Sequence, residues 1–279
     1  MPNQHPKIGF IGSGNMATAI IKGMLEKGYP SDKLLACDPS SEQLDRLKNE
    51  LRAVRKEIHT SIDNASTNEC EILVLAVKPQ ILPNVAKALS SHIRADALIV
   101  SVAAGITLEL LQGYLNGRAV VRCMPNTPAL LGQGAAGLYA SANTSEQQKT
   151  LAKGIFESVG LTQWLNSESD LDLVTAISGS GPAYFFLFME AMIDAATEMG
   201  LDRDMAYRLC VQTCSGSALM AAQDSELAEL RKRVTSPNGT TEKAIAAFES
   251  GGLRDLVKKA MQDCADRSVE MAKEASNNN

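Results

Sequence analysis

The chain has 279 residues, 45% of them apolar and 21% charged, with a formal net charge of −5. That balance belongs to a soluble globular protein with room for two domains. The acidic charge, the scattered basic residues and an aromatic content of 4% speak against a nucleic-acid surface. The first residues carry no charged-then-apolar leader pattern, so a cytoplasmic chain is expected. The cysteines at 37, 70, 123, 210, 214 and 264 then read as reduced thiols, mostly of the core. Cys210 and Cys214 fall one helical turn apart, which is poor disulfide geometry. His5, His59 and His92 have no neighbour at ligand spacing, so no metal site is expected.

Residues 8–11 are an apolar run of strand length. The chain then turns through Gly12-Ser13-Gly14, and from Asn15 the apolar spacing becomes helical, with Met16, Ile20 and Met24 recurring every fourth residue. Gly12-x-Gly14-x-x-Ala17 therefore stands where a strand feeds a helix, which is the setting of a phosphate-binding turn. Gly12 turns the chain tightly, Gly14 has no Cβ to hold a pyrophosphate away, and Ala17 lets the helix lie close on its strand. The helix N-terminus offers unpaired N–H groups and a partial positive charge. Gly28 and Pro30 stop this helix. Residues 33–38 read as a second strand ending on Asp38, about twenty residues past the glycine turn, where a carboxylate can accept from ribose hydroxyls and repel a 2′-phosphate. Asp38 reads equally well as a turn or cap acid before Pro39.

A helix over 42–55 follows. Asp63-Asn64 lie in a polar loop that can approach an adenosine or form a plain turn. Residues 71–77 have the apolar, β-rich character of a strand buried on both faces. They end in Lys78-Pro79, where Lys78 can reach a ribose or phosphate or snorkel at the surface. Residues 97–102 are the next strand; the small residues Ala103-Ala104-Gly105 after it admit a flat ligand or a tight turn. Residues 118–124 are another, ending in Pro125-Asn126-Thr127-Pro128. Residues 135–140 and 161–165 read as last, antiparallel strands around a helix over 145–159. This alternation predicts a doubly wound α/β sheet.

Near Glu168 the texture changes, and no strand pattern remains from residue 171 onward. Ser178-Gly179-Ser180-Gly181-Pro182 interrupts two predicted helices, with Pro182 placed to begin the second. Residues 183–194 are apolar nearly all round, yet too short and, with Glu190 and Asp194, too acidic for a membrane span. A helix apolar on every side needs cover on every side, and a region of about a hundred residues supplies little by itself. An obligate dimer is therefore expected, the alternative being the central core helix of a monomer. A helix over 202–224, capped near Asp202, and one over 252–275 complete the chain; residues 277–279 should fray. Between them, Arg231-Lys232-Arg233 precede a loop of hydroxyls, Pro and Gly. Thr240 or Thr241 can cap the helix that continues to about residue 248, or that helix start with its hydroxyls can take a small carboxylate.

Taken together these motifs resemble the pyrroline-5-carboxylate reductases over nearly the whole chain. The residues that carry the likeness are Gly9-Phe10-Ile11-Gly12-Ser13-Gly14-Asn15-Met16-Ala17, Ala76-Val77-Lys78-Pro79-Gln80, Arg122-Cys123-Met124-Pro125-Asn126-Thr127-Pro128, Ser178-Gly179-Ser180-Gly181-Pro182-Ala183-Tyr184, and Val234-Thr235-Ser236-Pro237-Asn238-Gly239-Thr240-Thr241 with Glu249-Ser250-Gly251-Gly252. The resemblance implies an N-terminal Rossmann domain over 1–166, a doubly wound and mostly parallel sheet, then an all-helical dimerisation and substrate domain over 167–279. It implies a domain-interlocked homodimer that can build a ring of dimers. NADPH or NADH is the implied cofactor, with Ile11, Gly12, Ser13, Gly14, Asn15 and Met16 on its phosphates and Asp38 and Asn64 at its adenosine end. Ala76, Val77, Lys78, Pro79, Ala103, Ala104 and Gly105 would line its nicotinamide half. Glu168, Ser236, Gly239, Thr240 and Thr241 are the implied substrate residues; the carboxylate lies on hydroxyls and amides, and Thr241 is the catalytic group nearest the ring nitrogen. In the family that loop comes from the partner subunit. Members commonly carry a neutral residue at position 38 and many prefer NADPH. The implied reaction reduces a cyclic imine to L-proline, with no nucleic acid, membrane or metal involved. Two other readings are a β-hydroxyacid dehydrogenase, opposed by the absence of lysine from residues 182–199, and a non-catalytic NAD(P)-sensing dimer.

Overall fold

The computed structural model describes residues 5–224 and 226–277. Four apolar runs become strands in which every residue is buried: β1 (Ile8–Ile11), β2 (Leu34–Cys37), β4 (Ile72–Leu75) and β5 (Leu98–Ser101). Burial on both faces is what removes polar alternation from their sequences. With β3 (His59–Ser61), β6 (Val120–Met124), β7 (Gly134–Ala140) and β8 (Gly160–Trp164) they form one sheet ordered β3-β2-β1-β4-β5-β6-β7-β8. The strands from β1 to β6 pair parallel, β7 runs antiparallel to β6, and β8 is parallel to β7. The short strand β3 carries no apolar pattern of its own; it exists because Leu35, Ala36 and Cys37 offer it a ladder.

Helices cover both faces. Phe10, Ile20, Leu25, Leu47 and Phe156 belong to one core cluster, which takes in α1 (Asn15–Glu26), α2 (Ser41–Ala53) and α5 (Glu146–Glu157). Ile11, Leu73, Leu82, Ile99 and Leu111 belong to the other, with α3 (Leu82–Leu89) and α4 (Leu108–Tyr114). Phe10 and Ile11 thus enter opposite cores, as period-two alternation requires. Each fully buried side chain of this size contributes about 1.5–3 kcal/mol. Strand order reverses between β1 and β4, and the register places Ile11 level with Cys37 and Leu75, and Leu75 level with Ser101. The segments that leave these four strands emerge along one edge, at the topological switch point where open sheets bind ligands.

The remaining helices are α6 (Asp170–Val174), α7 (Gly181–Glu198), α8 (Arg203–Gln223), α9 (Leu227–Arg233), α10 (Thr240–Ser250) and α11 (Leu253–Asn277). Asn278 and Asn279, expected to fray, lie outside the described residues, and Asn277 closes α11. Packing divides the chain into two compact units: residues through Ser180 together with those from Cys264, and Gly181–Asp263. The texture change near Glu168 and this division therefore differ, because the first turns after Glu168 hydrogen-bond back to the sheet unit. Asp202 caps α8 by accepting from Met205 N at 3.0 Å, as its sequence suggests.

The glycine-rich stretch before Pro182 does not break the helical run around it. Thr175–Gly179 forms a π turn, and residues 170–198 are helical enough to be one apolar run of 29 residues. Thr175 Oγ1 donates to Leu171 O at 2.8 Å and Ser178 Oγ to Val174 O at 3.0 Å, which holds the widened turn. By length and composition this stretch can cross a membrane, with mean hydropathy 1.3 over its most apolar window. Its exposed residues include Phe185 at 64%, Phe186 at 63% and Leu187 at 67%.

Candidate active site

The glycine turn joins β1 to α1. Gly12 has φ +94°, and a Cβ there would lie 2.7 Å from Ala76 O, so both conformation and the approach of the β4 end exclude a side chain. Its N–H donates to Cys37 O at 2.8 Å, and Ala76 N donates to Ile11 O at 2.8 Å. Gly14 is the N-cap of α1 at φ −67°, ψ −177°; a Cβ there would meet nothing within 4 Å. No side chain caps α1 and no acid stands in its first turn. The N–H groups of Asn15 and Met16 lack intrahelical acceptors, and the helix end favours negative charge.

At the end of β2 the structure joins Asp38 to Ser13, 25 residues apart in sequence. Asp38 Oδ2 accepts from Ser13 N at 2.9 Å and from Ser13 Oγ at 3.0 Å, while Oδ1 accepts from Ser40 N at 2.9 Å. Asp38 is thus a turn acid and a wall of the glycine turn at once. Asn64 follows Asp63, whose Oδ1 accepts from Ala65 N at 2.8 Å, and Asn64 Oδ1 is a buried acceptor without a partner. Along the β4 and β5 ends, Ala76, Val77 and Pro79 are half-buried, Lys78 is exposed, and Ala103, Ala104 and Gly105 turn away from β5 with Gly105 at φ +72°. A cleft of about 450 Å³ opens beside this loop, lined by Pro79, Lys87, Ala104, Gly105, Arg267 and Glu274. An uncapped helix start, open space over Gly14, a carboxylate at the end of β2 and an orphaned amide oxygen fit a dinucleotide.

Glu168 is more engaged than the sequence suggests. Its Oε1 accepts from Arg122 Nη1 at 2.6 Å and from Leu108 N, the first residue of α4, at 2.7 Å. Arg122, the one charge in the strand Val120–Met124, is the signal that could have marked this pair beforehand. Asn126, braced by its two prolines, donates from Nδ2 to Ser178 O at 3.0 Å and accepts at Oδ1 from Ala135 N at 2.9 Å. It ties β7 to the π turn, a helical irregularity frequent at functional sites.

Ser236, Gly239, Thr240 and Thr241 belong to the second unit. Gly239, not a threonine, is the N-cap of α10, and no side chain caps that helix. The helix begins at Thr240, and a side chain is excluded from the cap position: a Cβ on Gly239 would stand 2.9 Å from Ser236 O. Gly239 N donates to Ser236 O at 3.0 Å, Asn238 takes φ +61°, and Asn238 N donates to Glu242 Oε2 at 2.7 Å. Thr240 and Thr241 therefore occupy the first two helical positions, with hydroxyls beside a free helix start. The basic run before them is paired: Arg231 with Glu249, Lys232 with Glu229, Arg233 with Asp224. Among the described residues, no group of three or more His, Cys, Asp or Glu could hold a metal ion.

A doubly wound sheet with this glycine turn at its switch point, followed by helices, defines a Rossmann-type nicotinamide-dependent oxidoreductase. Residues 7–105 match the family model for NADP oxidoreductase, coenzyme F420-dependent, and residues 168–271 match that for pyrroline-5-carboxylate reductase dimerisation. The pyrroline-5-carboxylate reductase of Pseudomonas aeruginosa is 46% identical over 276 residues, covering 96% of this chain and 98% of that protein. A solved pyrroline-5-carboxylate reductase from Coxiella burnetii superposes with TM-score 0.90 at 38% identity, covering 96% of this chain and 99% of that one. A Plasmodium falciparum pyrroline carboxylate reductase, solved with NADP bound, gives 0.83 at 29% identity, covering 96% and 98%. The chain belongs to the pyrroline-5-carboxylate reductase family, and the fold class and resemblance drawn from its sequence hold.

Proposed function

We propose that this protein reduces 1-pyrroline-5-carboxylate to L-proline, the last step of proline biosynthesis, with NAD(P)H as cofactor. The observation that carries this reading is the end-to-end likeness to the Pseudomonas reductase, which spans cofactor cradle and dimerisation region alike. When bound, the cofactor supplies hydride to the imine carbon. The chain supplies position and a polar, hydroxyl-rich pocket, which suits a substrate whose protonated imine is already electrophilic.

In this reading the turn from Ile11 to Met16 holds the phosphates, through the free N–H groups of Asn15 and Met16 and the open space over Gly14, with Ser13 committed to Asp38; Asp38 and Asn64 hold the adenosine, and residues 76–79 and 103–105 flank the nicotinamide. Ser236, Gly239 and Thr240 bind the substrate carboxylate at the uncapped start of α10. Thr241 hydrogen-bonds the ring nitrogen and relays its proton. Glu168 reaches the substrate with the carboxylate oxygen that Arg122 and Leu108 leave free. Residues 1–166 serve the cofactor and 167–279 serve substrate and assembly. The exposed apolar run of α7 supports burial against a second copy in an interlocked homodimer, and dimers can assemble further into a ring. Six free thiols are in keeping with a cytoplasmic protein.

The test is oxidation of NADH and NADPH by the purified full-length protein. Oxidation that depends on pyrroline-5-carboxylate and yields proline supports the proposal. Oxidation absent with pyrroline-5-carboxylate, or cofactor reduction by hydroxy acids instead, overturns it.

A further inference from the structure

We propose that Ser13 and Asp38 act as one clasp that makes the adenosine end select a dinucleotide without a 2′-phosphate, so that NADH is preferred to NADPH. The inference rests on the reductase reading only in taking the β1–α1 turn as a cofactor site.

The chemistry lies in how donors and acceptors are shared. The amide and hydroxyl of Ser13 are donors that a phosphate at this edge would use, and both are engaged by Asp38 Oδ2. Ser13 is 2% exposed, so its hydroxyl cannot turn freely to another acceptor. An ionised carboxylate offers about four lone-pair positions, all acceptors. Three are taken, by Ser13 N, Ser13 Oγ and Ser40 N, and the remaining one is on Oδ1. A ribose hydroxyl can donate there. A 2′-phosphate has no such proton to give and brings like charge against like charge.

The described segments around the carboxylate supply no cation of their own. Residues 12–21, 38–45 and 61–68, which form the turn and the ends of β2 and β3, contain no Lys or Arg. The second loop adds another carboxylate, Asp63. Arg46 lies on a strip of α2 shared with Glu42, Asp45 and Glu50. Adenosine discrimination of this kind works by an unfavourable term against the competitor as much as by attraction to the chosen ligand.

Calorimetric binding of NAD⁺ and NADP⁺ to the full-length protein tests this without turnover. The wild type should bind NAD⁺ at least about tenfold more tightly, and added salt should narrow the ratio because the term is charge repulsion. Asp38→Ser should bring the two within about threefold or reverse them, and the isosteric Asp38→Asn should move the ratio the same way. Ser13→Ala, which frees the carboxylate from one holder, should narrow the ratio with the melting temperature little changed. NADP⁺ bound as tightly as NAD⁺ by the wild type, or a ratio unmoved in both Asp38 variants, overturns the clasp alone. Binding of neither dinucleotide overturns the reductase reading and the clasp with it.

Discussion

Arg122 and Glu168 form the most enclosed ion pair among the described residues, at 2.6 Å, with side chains 11% and 31% exposed. The same Glu168 oxygen also caps α4 through Leu108 N. One carboxylate thus fixes the middle of β6, the start of α4 and the chain's departure from the sheet. A group implied by family likeness to lie near substrate is therefore also a structural tie.

Removing that tie should cost stability in steps. Glu168→Ala leaves Arg122 enclosed without its partner and Leu108 N uncapped, and should destabilise the sheet unit by about 2–4 kcal/mol. Glu168→Gln retains an acceptor for Leu108 N and should lose less. Urea midpoints of the two variants decide the matter; equal midpoints for wild type and Glu168→Ala would contradict it.

The two glycines of the turn should fail in different ways. Gly12→Ala forces φ +94° on a residue with a Cβ 2.7 Å from Ala76 O, and should lower stability by about 2–4 kcal/mol. Gly14→Ala meets no neighbour and has an ordinary φ of −67°, so its stability should stay within about 1 kcal/mol of wild type. Its new methyl would project into the open space proposed for the phosphates, and NAD(P)⁺ affinity should fall by about tenfold or more. Thermal melts read beside cofactor titrations separate these effects. A Gly14→Ala protein with full affinity would remove the phosphates from this turn.

Thr241→Ala should lower turnover by about tenfold to a hundredfold and leave cofactor binding intact, since the hydroxyl is assigned to the substrate nitrogen. Thr241→Ser should recover much of the loss. Steady-state kinetics beside a cofactor titration measure both, and unchanged turnover in Thr241→Ala would strip the residue of that role.

Burial pushes the Cys37 thiol up to about 12 and the Cys70 thiol up to about 11, and raises Cys123 well above the usual thiol range. For a thiol raised on folding, the contribution to stability is complete below the unfolded value, near 8.5–9, and is lost as pH climbs through the folded value. Lys7, raised by its hydrogen bond to Glu69, acts in the same sense. Unfolding midpoints should therefore decline between about pH 9 and 12. At neutral pH an aromatic disulfide reagent should leave these three cysteines unmodified until denaturant is added; rapid labelling of Cys37 in the folded protein would contradict this.

The sheet was legible because parallel strands covered on both faces appear as continuous apolar runs, and the glycine turn because two spacing rules change over within one stretch. What the sequence hides is set mostly by distant partners. Three residues of β3, with His59 exposed at their head, have no pattern of their own and exist by pairing with β2. The π turn at Thr175–Gly179 is held by Asn126, 52 residues earlier than its partner Ser178. Thr240 and Thr241 have the hydroxyls of caps, whereas the helix starts one residue earlier than a threonine cap requires, and Gly239 takes that place. Asp38 and Ser13 stand out separately in the sequence, 25 residues apart, but only the level ends of β1 and β2 bring them together.

In the proposed reaction, hydride passes from a nicotinamide held by this turn to the imine carbon of pyrroline-5-carboxylate. NADH or NADPH deuterated at the transferable position of the nicotinamide tests that transfer at the reacting atoms. Proline carrying one deuterium, on the ring carbon formerly double-bonded to nitrogen, is the expected product. Folded, cofactor-binding protein that forms no deuterated proline would contradict it.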